Sequence, residues 1–373
     1  MYQLAQEQSV QGLVLQGIEW FKNHGHNLND NANNGAASLP QVNLDISQSQ
    51  LLQWIGEVQI IEQRNKEMNA YIDVLIEELR KRNIYALLIK GQGIAQCYEK
   101  PLWRVSGDID LLLSKNDYEN AKDFFLPKDI LTEPEEAAKK HLAMQIEQWV
   151  VELHGTLYVG LSAKVDRMLD NVQRDVFYGG KVRSVAFDVH DKLNGTTKNS
   201  LVPIFLPAAN EDVVYVFAHI LQHFYKGGIG LRQICDWCRL LWTYRDSLNH
   251  EYLESKIRES GLMSEWRAFG AFAVKYLGMP IEAMPLLNAN DNLNANLKKK
   301  ADRICEFILE VGNFGHNRDN SYFRKHSYLV QKCISAWRRV KDLYRHATIF
   351  PVTSVRFFFG IMYNGIVSTL RGE

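Results

Sequence analysis

The run of residues 105–113 constrains the fold of this chain more than any other segment. It reads Val-Ser-Gly-Asp-Ile-Asp-Leu-Leu-Leu, polar at its start and apolar at its end, which is typical of a strand that enters a core from an exposed edge. Side chains of a strand alternate between two faces, so Asp108 and Asp110 project to one side and Ile109 projects to the other. The chain is therefore expected to build a sheet with two carboxylates side by side at one edge.

A second short apolar run precedes the acidic strand. Residues 84–89 have the length and composition of a buried strand, and Lys90, Gly91, Gln92 and Gly93 follow directly. Glycines at these positions allow a tight turn from a strand into a helix. Such a turn brings backbone N–H groups close to a phosphate, and Lys90 adds a point charge. A turn without any ligand is the alternative interpretation.

Helical periodicity dominates the rest of the chain, with one further candidate hairpin at 142–146 and 149–154. Residues 27–40 are polar and predict a loop, whereas residues 162–207 show little regular pattern. The apolar run 357–370 is shorter than the roughly 20 residues of a membrane-spanning helix, which predicts a packed terminal helix. Segments with helical spacing are residues 3–24, 51–82, 117–125, 211–225 and 231–244.

These segments predict an α+β fold in three parts. At 373 residues the chain exceeds the usual size of one domain. We expect an N-terminal helix and polar loop in residues 1–50, a small mixed-sheet catalytic domain in residues 51–205 and an all-α domain in residues 206–373.

Charge and cysteine content narrow the function classes. Lys+Arg and Asp+Glu both number 43, so the chain lacks the basic excess of a protein whose default partner is nucleic acid. Five scattered cysteines do not form a disulfide framework, and Cys235 and Cys238 fall inside a helical pattern, which favours buried thiols over zinc or redox chemistry. The start of the chain has no signal-peptide pattern. We therefore expect a cytoplasmic protein without a membrane partner.

The paired aspartates point to metal chemistry. Two carboxylates beside an apolar strand repel each other unless cations neutralise them, and Mg²⁺ takes one or two carboxylates together with substrate phosphates. Two Mg²⁺ ions bound in this way clamp an in-line displacement at phosphorus. Glu152, which shares a strand face with His154, is the expected third carboxylate and would orient and deprotonate the acceptor hydroxyl. Asp188 is the rival third acid.

The ordered series of Leu-Leu-Ile-Lys-Gly-Gln-Gly, Arg104, Gly-Asp-Ile-Asp-Leu-Leu-Leu and Val-Glu-Leu-His resembles the bacterial uncharacterised nucleotidyltransferase family, a branch of the polymerase-β-like superfamily. The resemblance implies a polymerase-β-like catalytic domain. It makes Asp108, Asp110 and Glu152 catalytic metal ligands and Gly91 the phosphate-turn glycine. Gln92 stands where the superfamily usually has Ser, so a hydroxyl contact to phosphate is either missing or replaced by its amide. The expected nucleotide-binding residues are Lys90, Gly91, Gln92, Gly93, Arg104 and His154.

The resemblance also extends to the helical half, at His219, His223, Arg232 and Asp236. The histidines have the spacing of a metal pair, but hydrogen-bonded packing is favoured because no Glu separates them. Arg232 and Asp236 are predicted either to pair with each other along the helix or to face the cleft and read the acceptor. Arg104 is expected to contact phosphate or to pair with one of the strand acids.

The expected activity is transfer of a nucleoside monophosphate from a nucleoside triphosphate (NTP) such as ATP to an unidentified acceptor, a small molecule or a protein, with release of pyrophosphate. Two alternatives stay open at this point. One is a nucleotide-binding regulatory module without turnover, which the missing Ser favours. The other is a transferase of the toxin–antitoxin kind that modifies protein or tRNA.

Overall fold

The computed structural model describes residues 1–24, 46–126, 130–136, 140–190, 197–199, 202–288, 294–315 and 328–371. The loop predicted at residues 27–40 lies outside these ranges. The helices are α1 (Tyr2–Glu7), α2 (Gln11–His24), α3 (Gln48–Arg80), α4 (Gly91–Ala95), α5 (Lys115–Phe125), α6 (Ala163–Tyr178), α7 (Ala209–Lys226), α8 (Leu231–Tyr244), α9 (His250–Ser260), α10 (Met263–Leu277), α11 (Ala295–Val311), α12 (Tyr328–Ala347) and α13 (Pro351–Arg371). The strands are β1 (Ala86–Ile89), β2 (Ile109–Leu113), β3 (Leu131–Thr132), β4 (His141–Ile146), β5 (Trp149–His154), β6 (Val182–Val185), β7 (Asp188–His190), β8 (Thr197–Asn199) and β9 (Ile204–Pro207).

The main sheet is small and mixed, and it confirms the predicted α+β class. Its five strands run in the order β1-β2-β5-β4-β3. The pairing of β2 with β5 is parallel, whereas the other three pairings are antiparallel. The hairpin predicted from the sequence is present as β4 and β5, in which Ile146 pairs with Trp149. The acidic strand β2 therefore lies at an inner position between β1 and β5.

The two faces of β2 enter different cores. Ile109 and Leu111 pack with buried residues of α3 such as Met68 and Ile72. Leu112 faces the opposite way, into the large core that contains Phe217 of α7 and most of the helical half. This alternation follows the period of two in the sequence. That large core crosses the predicted boundary at residues 205 and 206, and the division into domains stays a prediction.

The helical spacing predicted for residues 51–82 corresponds to one continuous helix, α3, which ends at Arg80. Ser47 caps its start, and Gln50 completes a capping box with the backbone of Ser47. The predicted acidic strand is shorter than expected, because regular pairing begins at Ile109 rather than Val105.

The prediction of little regular structure in residues 162–207 is wrong. Ser162 caps α6 by accepting a hydrogen bond from the backbone of Val165, and the buried side chains Val165, Met168 and Val172 recur at helical spacing. Two later strands, β6 and β9, pair with each other as a separate ribbon. The interspersed charges of α6 lie on its outer face, so the amphipathic signal was present in the sequence.

Over residues 351–363, where its side chains are described, the predicted packed terminal helix packs on one side only. In α13 the side chain of Phe357 is fully buried, whereas that of Phe359 is 67% exposed. Val352, Val355 and Tyr363 lie on the same exposed stripe, at spacings of three to four residues. Within the described ranges, no helix combines the length and the apolar character needed to cross a membrane.

Candidate active site

The turn after β1 holds Lys90 in an unusual backbone conformation. Lys90 has a φ of 56° and Gly91 a φ of 41°. Both values lie in the left-handed backbone region, which residues other than glycine rarely adopt. At this turn the chain passes from β1 into α4, and the Lys90 ammonium lies 2.6 Å from the Oδ1 atom of Asp110. Strain of this kind costs on the order of 1–3 kcal/mol and is concentrated at functional sites. The predicted strand, turn and helix are thus present, and Lys90 points to the acids.

Strand pairing brings the three predicted carboxylates together. Asp110 pairs in register with Glu152 of β5 across the parallel pair, so both side chains lie on the same face of the sheet. Asp108 precedes β2 by one residue and lies on that face as well. Ligand oxygens of Asp108, Asp110 and Glu152 all lie within 4.8 Å of one another. Sequence alternation correctly predicted this grouping.

Two histidines border the carboxylates. His154 Nε2 lies 2.8 Å from Asp110 Oδ1 and 3.4 Å from Glu152 Oε2, and His141 Nε2 lies 3.1 Å from the same Glu152 oxygen. His154 was expected at the site from the sequence, whereas His141 was not. A signal was available, because a two-residue hairpin loop at 147–148 forces His141 to pair with His154.

Mutual repulsion and burial set the electrostatics of the acids. The charge of Asp110, followed by burial, raises the pKa of Asp108. Burial acts to raise the pKa of Glu152, but hydrogen bonds from His141 and His154 outweigh burial and hold that pKa below its usual value. Burial disfavours the ammonium of Lys90, yet the Asp110 carboxylate keeps the pKa of Lys90 raised. Three carboxylates thus share one nearby ammonium, and this oxygen-rich set suits a hard divalent cation.

The carboxylates line a cavity of about 240 Å³ whose opposite wall is helical. That wall includes His219 and His223 from α7 and Arg232 and Asp236 from α8. Lys90 and Gly91 line the sheet side of the same cavity. The residues that resembled a family pattern in the helical half therefore face the acidic strand across one space.

The two histidines of α7 form the hydrogen-bonded pair that the sequence favoured. Their Nε2 atoms lie 2.9 Å apart, and His219 Nδ1 lies 3.2 Å from Gln222 Oε1. Burial, with the positive charge of Lys90, lowers the pKa of His223 to about 4. Burial likewise holds the pKa of His219 well below its usual value. Both rings are therefore neutral near pH 7 and present hydrogen-bonding groups to the cavity.

Arg104 does not form the expected ion pair with an acid of the strand. Its Nε and Nη2 atoms bind the two carboxylate oxygens of Asp236 at 2.8 and 2.6 Å, and Nη1 donates to Val105 O and Ser106 Oγ. Tyr98 donates to the same Asp236 at 2.8 Å. The guanidinium is thereby fixed to α8, so Arg104 holds the segment before β2 against the helical wall.

Asp236 is consequently not the partner of Arg232, which corrects the predicted helix ion pair. Arg232 instead donates from Nη1 to Val105 O at 2.8 Å. The alternative in which this part of α8 faces the cleft is confirmed, since Arg232 and Asp236 both line the cavity.

The side chain of Gln92 does not replace a phosphate-binding hydroxyl. Its amide nitrogen is buried and donates to Asn65 Oδ1 at 2.8 Å and to the sulfur of Met68. A Cβ atom on Gly93 would lie 2.3 Å from Leu206 Cδ2, so Gly93 permits close packing of α4 against β9. Only backbone groups of these two residues stay available to a phosphate. The rival acid Asp188 begins β7, and its side chain is not among those described.

The two cysteines of α8 contribute to its packing. Cys235 and Cys238 lie in α8, and burial raises the pKa of Cys235 to about 12 and that of Cys238 further above its usual value. A thiol that stays protonated at neutral pH is a poor nucleophile and metal ligand.

Comparison with known proteins identifies the family of the chain. The family model described as uncharacterised nucleotidyltransferase matches residues 1–278, which include every cavity residue named above. A solved structure, that of an antigenic nucleotidyltransferase-like protein from Paracoccidioides brasiliensis, is similar at 12% sequence identity and a TM-score of 0.34, over 61% of this chain and 97% of that chain. No curated protein matches. The matched region covers well over half of the chain, which therefore belongs to the uncharacterised nucleotidyltransferase family.

Proposed function

We propose that this chain is a magnesium-dependent nucleotidyltransferase, which transfers a nucleoside monophosphate from an NTP to a small-molecule or protein acceptor. One observation carries the proposal, the meeting of Asp108, Asp110 and Glu152 within 4.8 Å at the wall of a cavity. The family supports the reaction class.

The donor set fits divalent metal. Asp108, Asp110 and Glu152 would hold up to two Mg²⁺ ions, because their carboxylate oxygens lie within 4.8 Å of one another and Mg²⁺ prefers such oxygen ligands. When bound, such ions supply charge neutralisation at the phosphates and lower the pKa of a coordinated hydroxyl. His154, which lies against Asp110 and Glu152, would orient both carboxylates.

The remaining residues position the nucleotide. The backbone of the Gly91 turn would approach the phosphates at the start of α4, and the Lys90 ammonium would balance charge beside Asp110. The acceptor oxygen would form a bond to the α-phosphorus while the bond from that phosphorus to the bridging oxygen breaks. The bonding electrons leave with pyrophosphate, and the hydroxyl proton passes to the ionised Glu152. Positioning and electrostatics supply most of the catalysis in such a displacement.

The test is release of pyrophosphate from NTPs with Mg²⁺ and a cell extract as the source of acceptor. We expect Asp108→Asn and Asp110→Asn each to lower the rate at least about a hundredfold, because metal binding supplies several kcal/mol of transition-state stabilisation. Asp123→Asn, on the exposed side of α5, is the matched control and should keep the wild-type rate. Isosteric amides keep the shape of the strand edge.

The same assay separates the proposal from its alternatives. If wild-type protein binds NTP but releases no pyrophosphate with any NTP and extract, a binding module without turnover replaces the enzyme. Label from an α-labelled NTP identifies the acceptor class. Transfer to a small molecule or protein agrees with the proposal, and transfer to tRNA contradicts the acceptor class proposed here.

A further inference from the structure

Arg232 differs from the other cations of the cavity. The Lys90 ammonium has Asp110 at 2.6 Å, and Arg104 has both oxygens of Asp236. Arg232 has no ion pair with any carboxylate among the residues that the structure describes, and its Nε atom is buried without a hydrogen-bond partner. Leaving a buried polar group without a partner is destabilising, and more so when the group is charged.

Within the described part of the chain, the carboxylates near Arg232 form no ion pair with it. The acid one helical turn away, Asp236, is held by Arg104 and by the hydroxyl of Tyr98. Among the residues that the structure describes, the Arg232 guanidinium donates from Nη1 to Val105 O. That bond fixes the side chain between α8 and the segment leading into β2. Burial and the nearby charge of Arg104 lower the pKa of Arg232, and the charges of Asp236 and Asp108 offset this only in part.

We propose that Arg232 forms a phosphate-binding subsite on the helical wall, opposite the carboxylates. A guanidinium presents planar pairs of N–H donors that match phosphate oxygens, and its Nε edge is the part left without a partner here. A substrate phosphate would satisfy this edge and compensate the charge. The subsite rests on the proposed function for the identity of its substrate, and the phosphate comes either from the NTP or from a phosphorylated acceptor.

Binding of pyrophosphate in the presence of Mg²⁺, without nucleotide, tests the subsite by isothermal titration calorimetry. We expect Arg232→Gln to weaken binding about ten- to a hundredfold, because charge-assisted hydrogen bonds are lost. Arg232→Lys keeps the charge without the fork and should weaken it less. Arg239→Gln is the matched control, since Arg239 lies on the same helix and also donates to a backbone carbonyl, that of Cys97, but does not line this cavity. Unchanged pyrophosphate affinity in Arg232→Gln overturns the proposal.

ATP affinity identifies the source of the phosphate. A loss for ATP as large as the loss for pyrophosphate, with adenosine unaffected, assigns the subsite to the nucleotide. Unchanged ATP affinity with weakened pyrophosphate binding assigns it to a phosphorylated acceptor. Because binding is measured without turnover, the subsite stands if Arg232→Gln loses pyrophosphate while wild-type protein transfers no nucleotide. Conversely, if nucleotide transfer is active and Arg232→Gln binds pyrophosphate as tightly as the wild type, the subsite is disproved and the proposed function is not. Thermal unfolding of each variant tests whether it is folded. If Arg232→Gln is not folded, the comparison of Arg232→Lys with wild type takes its place.

Discussion

At the scale of single residues, Lys90 combines a strained backbone with a buried charge. Its φ of 56° directs the ammonium to Asp110, and its side chain is only 15% exposed. Glycine would relieve the strain but would remove the cation from beside the carboxylates. Lys90 therefore lowers the stability of the backbone at this turn, but its ammonium balances the charge of Asp110.

Replacing Lys90 should reveal the metal-binding tendency of the carboxylates. We expect Lys90→Met to lower the free energy of unfolding by about 3 kcal/mol, since Asp110 loses a close buried partner. Mg²⁺ should then raise the melting temperature of this variant more than that of the wild type, because the ion replaces the missing charge. Thermal unfolding with and without Mg²⁺ measures both effects.

The control for Lys90 is Lys66→Met. Lys66 pairs with Glu62 at 2.7 Å, but the two side chains are 39% and 31% exposed, so little stability depends on that pair. Equal Mg²⁺ shifts in wild type and Lys90→Met would contradict the assignment of the carboxylates as metal ligands.

Residue-level prediction was successful where local periodicity determined the geometry. Alternation along a strand was enough to place Asp108 and Asp110 together, whereas the parallel pairing that brings Glu152 beside Asp110 is not specified by the hairpin pattern. The pairing of Arg104 with Asp236 spans 132 residues, and nothing in the spacing of either segment specifies it. Gln92 was misassigned because its buried partner, Asn65, belongs to a helix whose packing the local pattern does not reveal.

At the scale of elements, α2 packs closely against the turn that precedes the acidic strand. A Cβ atom on Gly12 would lie 2.0 Å from the backbone oxygen of Trp103. Trp103 also donates from its indole to Glu62 of α3. The N-terminal helix thus supports the segment that carries Arg104 and leads into β2.

Two glycines of α2 offer a matched test of this contact. Gly12→Ala should destabilise the protein and lower pyrophosphate release, because the new methyl group meets backbone that cannot move without displacing the turn. Gly17→Ala meets no atom within 4 Å and should stabilise the helix by up to about 1 kcal/mol. Urea unfolding of both variants measures the difference. A stable, fully active Gly12→Ala variant would show that α2 does not support the site.

Element prediction missed α6 although its apolar spacing is present in the sequence. Many polar residues separate its apolar positions, and the helix is recognisable chiefly by the Ser162 cap and the spacing of its buried side chains. Residues 231–244 have an apolar face of comparable strength, and there the prediction matched α8 at both ends.

At the scale of the whole molecule, burial of neutral histidines makes stability depend on pH. The pKa of His223 is about 4 in the folded protein, below the usual value of about 6.5 in an unfolded chain. Above pH 6.5 both states are neutral at this residue. As pH falls from 6.5 to 4, the unfolded state takes up the proton first, so this residue removes up to about 3 kcal/mol of stability.

His223→Asn should therefore lose stability less steeply than wild type between pH 6.5 and 4. Urea unfolding across this range measures the two slopes, and their difference cancels the titration of other groups. His250→Asn, at the exposed start of α9, is the control and should follow the wild-type slope. Parallel curves for wild type and His223→Asn would contradict neutral burial of this ring.

The contact from Arg232 to Val105 joins residues 127 positions apart, and the Arg104 to Asp236 contact spans a similar distance along the chain. Contacts of such long sequence separation are slow to form, because the intervening chain must first be brought together. During refolding, the helical circular dichroism signal should return before nucleotide transfer does. Recovered activity would then report complete folding of the chain, whereas recovered helicity would report only its local segments.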